Sequence, residues 1–112
     1  MKDKFALGQL ELKLLLTVLQ CGNEAYGLQI QNELKDRTGR EIAVGAIYTT
    51  LSRLQERKLV ASREGGHRSD RLGRPRRYFT VTGAGVRAIN EAEQELRSLG
   101  LKPSFEVAGA RR

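Results

Sequence analysis

The sequence predicts a mainly α chain with a single β-hairpin. Three observations lead there. Apolar residues recur at helical spacing in three successive segments before residue 59. Two short segments then flank a glycine- and arginine-rich loop, and the second alternates in strand fashion. A fourth helical segment follows. At 112 residues the whole arrangement fits one domain.

The first helix is predicted over Leu7 to Cys21. Leu12, Leu15, Leu16 and Leu19 follow helical spacing, and Leu10, Leu14 and Val18 widen the stripe. A helix apolar on nearly every side is either central or shared with a second chain. Gly22 suits the C-terminal cap, and Asn23 can start the next helix. That second helix is predicted over Ala25 to Thr38, with Tyr26, Ile30 and Leu34 on one face. Gln29, Gln31 and the charged residues around them are expected in solvent, and Gly39 ends the helix. The third helix is predicted over Val44 to Lys58, with Ile47, Leu51 and Leu54 buried.

"LVASRE", Leu59 to Glu64, reads as a strand, and "RRYFTVT", Arg76 to Thr82, as its hairpin partner. Thr82 and Gly83 open a fourth helix over Gly83 to Leu99, with Val86, Ile89 and Leu96 on its apolar side. The expected division is a winged helix-turn-helix over residues 1–82, a C-terminal dimerisation helix over 83–100 and a flexible tail over 101–112. In such a layout one helix enters a DNA major groove and the hairpin reaches the backbone or minor groove beside it.

Charge supports this reading. The formal net charge is +7, which favours polyanionic partners, either nucleic acid or an anionic membrane surface. Arg53 to Arg77 holds nine Lys/Arg against three Asp/Glu, so that segment alone carries +6. Clustering of this kind is an electrostatic footprint rather than general solubility. No run reaches the roughly 18 apolar residues of a membrane span. The amino-terminal segment lacks a signal-peptide cleavage pattern. The single cysteine, Cys21, makes no internal disulfide, which suits a reducing cytoplasm.

Four motifs in order carry a family resemblance: "LGQLELKLLLTVL", "AYGLQIQNEL", "VGAIYTTLSRLQERKLV" and "GRPRRYFTVTGAG". They extend over about Leu7 to Leu99, most of the chain, and the sequence resembles the PadR family of bacterial transcriptional regulators. The resemblance implies a homodimeric DNA-binding regulator, usually a repressor, whose chains pair through the first helix and the helix after the wing. It also implies a small hydrophobic or aromatic effector between the dimer halves. Some members stack flat drugs between tryptophans, and this chain has no Trp. Thr49 and Thr50 stand where many relatives have Pro-Ala, so the operator does not transfer from them.

The residues expected at DNA are Tyr48, Thr49, Ser52 and Arg53 on the third helix and Arg74, Arg76 and Arg77 in the wing. Leu10, Leu14, Ile89 and Leu96 are expected at the dimer interface. Tyr48 is read evenly as a phosphate contact or as packing for the turn, and Tyr78 as packing the wing onto the core. His67 stands without Cys or carboxylate at metal spacing, and no cofactor is expected. No nucleophile–base pattern or paired acids support an enzyme. The rival classes are a non-specific architectural or RNA-binding protein and a winged-helix module that docks an acidic protein.

Overall fold

The computed structural model describes residues 6–69 and 75–102. Its elements are α1 (Gln9–Cys21), β1 (Ala25–Tyr26), α2 (Gly27–Thr38), α3 (Val44–Glu56), β2 (Val60–Ser69), β3 (Pro75–Val81) and α4 (Gly83–Ser98), with a 3₁₀ turn at Gly22–Glu24 after α1. The three strands form an antiparallel sheet in the order β1-β3-β2. The predicted fold class, a winged helix with four helices, is therefore present. The expected tail beyond residue 102 lies outside the described residues.

The core is built mainly from the first three helices. Leu14, Leu15 and Val18 of α1 meet Ile30 and Leu34 of α2 and Ile47, Leu51 and Leu54 of α3, with Ala25, Leu59, Val60 and Phe79 closing the sheet side. Each fully buried side chain of this size contributes about 1.5–3 kcal/mol. The sequence expectation places Leu14 between two chains, but it is 0% exposed and belongs to this chain's own core. The reason is geometric: α2, α3 and the sheet all pack on α1, so its Leu14–Leu15–Val18 side is consumed internally. Leu16 and Leu19 remain exposed on α1.

Four local readings need correction. Ala25 and Tyr26 do not begin α2. Tyr26 is extended at φ −130°, and the pair bonds to β3 as β1, in register Ala25–Phe79 and Tyr26–Tyr78. The third helix stops at Glu56 rather than Lys58. Leu59 N–H donates to the Leu54 carbonyl at 2.9 Å and Lys58 N–H to the Gln55 carbonyl at 2.9 Å, with Lys58 left-handed at φ 63°. That is a Schellman closure in which a lysine takes the place usually held by glycine. The strand after it runs on to Ser69, beyond the expected Glu64. Gln31 is half-buried rather than wet, and its Nε2 donates to the Ile42 carbonyl at 2.8 Å, tying α2 to the segment before α3. Gln29 is half-buried too.

The expected caps at Gly39 and Thr82 do form. Gly39 is left-handed at φ 77° and donates to the Lys35 carbonyl. Thr82 Oγ1 accepts from Gly85 N–H at 3.0 Å and donates to the Lys58 carbonyl at 2.8 Å, so one side chain starts α4 and holds the turn after α3. Gly85 is buried where a Cβ would strike the Leu59 carbonyl, which lets α4 cross close to the strand.

Candidate nucleic-acid interface

The outward side of α3 is set by its buried one. Ile47, Leu51 and Leu54 face the core, and Thr50 is buried with its hydroxyl donating to the Ala46 carbonyl at 2.8 Å. Thr49, Ser52 and Arg53, at i, i+3 and i+4, therefore share one exposed patch. Tyr48 sits at the edge of this patch, 42% exposed, with its ring over Gly27 in the space a Cβ would take. It packs the α2–α3 turn and still presents part of its surface.

The basic residues of this region are not all spent alike. Arg57 is drawn inward: Nη1 meets Glu11 Oε1 at 3.0 Å and Nη2 donates to the Ala6 carbonyl at 3.0 Å. Glu11 also accepts from Gly8 N–H at 2.8 Å, so this pair locks the start of α1 to the end of α3. Charge alone places Arg57 in the footprint, but it is a structural clamp.

Arg76 and Arg77, expected as one set, point to opposite faces of the sheet, because successive strand residues alternate. Arg77 lies on the Phe79 side. It donates to Ser62 Oγ at 3.1 Å and pairs with Glu64 at 3.4 Å, while Ser62 Oγ donates to Gln55 Oε1 of α3 at 3.3 Å. Arg76 lies on the Tyr78 side with its guanidinium 3.9 Å above the Tyr26 ring. Hydrogen bonding to Tyr78, partly offset by desolvation, raises the Arg76 pKa further above its ordinary value. Tyr78 is 6% exposed, as its packing role requires, with its ring over Gly65. Arg63 lies 4.8 Å from the Tyr78 ring and 3.9 Å from Glu24. Arg74 lies outside the described residues.

Among the described residues no three His, Cys, Asp or Glu side chains come together as metal ligands. Burial, then Glu33, pushes the Cys21 thiol up, which keeps it protonated and unreactive near neutrality. No helix of the described residues is long and apolar enough to cross a membrane.

A hairpin beside an exposed helix is a shape many proteins share. The sequence model described as the transcriptional regulator PadR-like family matches residues 15–91, from the core of α1 into α4. The chain belongs to the PadR-like family. PadR-like proteins are DNA-binding transcriptional regulators and not enzymes, so the surface of α3 and the sheet is to be judged by how it meets DNA. Solved structures agree. A PadR-like transcription factor from Bacteroides fragilis is 27% identical with a TM-score of 0.70, covering 82% of this chain and 84% of that one. A PadR-like transcriptional regulator from Bacillus cereus is 27% identical with a TM-score of 0.63, covering 80% and 82%. A Streptococcus transcriptional regulator, 24% identical with a TM-score of 0.64, shares the fold over 92% of each chain. No curated protein sequence matches the chain.

Apolar residues remain exposed on every helix, Leu28 on α2 and Val44 on α3 among them, with most of them on or just after α1 and α4. Val86 and Leu96 are exposed on α4, and Leu99 just after it is 83% exposed, while Ile89 and Leu10 are partly buried against the core. A shallow cleft of about 180 Å³ opens between α1 and α2, lined by Leu10, Lys13, Leu34, Thr38, Arg40 and Ile42. It is smaller than the roughly 300–1,000 Å³ of most ligand pockets. Residues of α4 do not line it.

Proposed function

We propose that this PadR-like protein is a sequence-specific repressor that binds a palindromic operator as a homodimer in the cytoplasm. The observation that carries the reading is the exposed Thr49–Ser52–Arg53 patch, backed by the core stripe of its own helix and flanked by the arginine-bearing sheet. Hydroxyl and guanidinium groups held on a helix meet base edges in the major groove. Arg74, Arg76 and Arg77 supply backbone contacts, which carry affinity without sequence information. Tyr48 contributes its hydroxyl to a phosphate from the edge of the patch.

Dimerisation is proposed through α1 and α4. Leu16, Leu19, Val86, Leu96 and Leu99 are exposed apolar side chains on or just after these two helices, with Leu10 and Ile89 partly buried, and a second chain would remove them from water. A two-fold dimer presents two identical helices to two half-sites, so the operator is symmetric. An effector, where one acts, is a small hydrophobic or aromatic molecule held between the two chains along α1 and α4.

Selection of genomic fragments by the purified protein tests the reading. The expected result is a two-fold symmetric consensus bound far more tightly than random duplex at the same salt. Equal affinity for all duplexes would instead assign an architectural role. No duplex binding at physiological salt would leave a protein-docking module.

A further inference from the structure

We infer that Tyr26 is a positioning residue for DNA binding, acting through Arg76. The inference rests on the DNA-binding reading above. Its starting point is the layered cluster on one face of the sheet. Tyr26 of β1 stands directly opposite Tyr78 of β3, and Arg63 of β2 stands opposite Tyr78 on the other side. The two tyrosine rings meet edge to face, centroids 5.8 Å apart and planes at 84°. The Tyr78 ring has little freedom to yield, because it is buried and lies over Gly65 where any side chain would collide with it. Tyr26 is thereby braced, and the Arg76 guanidinium rests on it at 3.9 Å.

The geometry matters because of what stacking leaves free. A guanidinium on a ring uses its π face, while its five N–H donors lie in its own plane, so those not spent on Tyr78 remain able to grip a phosphate. An unsupported arginine loses side-chain entropy on binding; one already stacked has lost most of it beforehand. Arg77 and Arg63 have carboxylate partners, Glu64 and Glu24, whereas the partners of Arg76 among the described residues are the two tyrosines, which do not neutralise its charge. Tyr26 also sits one residue before α2, whose first turn carries no acidic residue. The two-residue strand β1 therefore does more than pair with the sheet edge: it holds a ring at the place where the wing arginine must wait.

The test combines arginine side-chain NMR with DNA titration. In the wild-type protein the Arg76 Nε–Hε proton should show an upfield ring-current shift. It should persist in Tyr26→Phe, where the ring remains, and vanish in Tyr26→Leu. On duplex DNA, Tyr26→Leu should weaken binding about three- to tenfold, as Arg76→Ala does, while Tyr26→Phe keeps wild-type affinity. The double variant Tyr26→Leu/Arg76→Ala should bind no worse than Arg76→Ala alone. Additive losses in the double variant would overturn the coupling, and so would wild-type affinity in a folded Tyr26→Leu protein. An absent ring-current shift in the wild type would overturn the stack even if Tyr26→Leu does not fold. If wild-type protein binds no duplex while the shift is present, the stack stands and it is the DNA-binding reading that fails, taking the positioning role with it.

Discussion

Arg76 and Arg77 are adjacent in sequence and face opposite ways, and that difference decides what each can do. Arg77 already shares Glu64 and Ser62, so its removal should flatten the salt dependence of DNA binding less than removal of Arg76. Titrations of the two alanine variants across a salt series measure this directly. Lys58 gives a second residue-scale expectation. A left-handed lysine costs about 1–2 kcal/mol, which glycine avoids at some cost in unfolded-chain entropy. Lys58→Gly should therefore stabilise the fold by about 0.5–1 kcal/mol in urea unfolding. Alternation along "RRYFTVT" makes the strand legible, and the same alternation separates the two arginines; grouping them by proximity alone hides it. The clamp at Arg57 is illegible because its partner Glu11 is 46 residues away in the chain.

At the scale of elements, the helices and their core stripes can be read from periodicity, since Ile47, Leu51 and Leu54 recur at helical spacing and are all fully buried. The strand β1 cannot. Two residues are too short to show a period, and "AYG" fits a helix start as well as an edge strand. The end of α3 is hidden for a related reason: its closure lacks the glycine that marks α2 at Gly39. The cap of α4 is legible from Thr82-Gly83, and Thr82→Ala should cost about 1 kcal/mol or somewhat more, because the hydroxyl also holds the Lys58 carbonyl. Gly85→Ala should run against helix propensity. Alanine favours a helix by up to about 1 kcal/mol, yet its Cβ would meet the Leu59 carbonyl and Val81, and overpacking of that kind costs about 1–3 kcal/mol. Denaturant midpoints should fall for both variants.

For the whole molecule, α4 is the element that a single chain leaves half finished. Only Gly85 of its sixteen residues is buried, while Leu96 is 40% exposed. Ile89→Asp with Leu96→Asp should convert a dimer to monomers or unfold the chain, read by sedimentation; a wild-type monomer at micromolar concentration would contradict the proposed assembly. The apolar stripe of α4 is visible in the sequence, but the division of α1 between internal core and free surface is not. Leu14 and Leu16 are the same residue type two positions apart, and only the packing of α2 and α3 against α1 separates them.

The central claim is that α3 reads sequence while the wing follows the backbone. A salt series on the selected operator and on a scrambled duplex, for wild type, Arg53→Ala and the triple alanine variant of Arg74, Arg76 and Arg77, tests it most directly. Arg53→Ala should weaken operator binding by about 1–3 kcal/mol and binding to the scrambled duplex by little. The triple variant should flatten the log–log salt slope by about one unit for each phosphate it no longer neutralises, equally on both duplexes. A triple variant that keeps the wild-type slope, or whose affinity falls on the operator alone, would contradict the account.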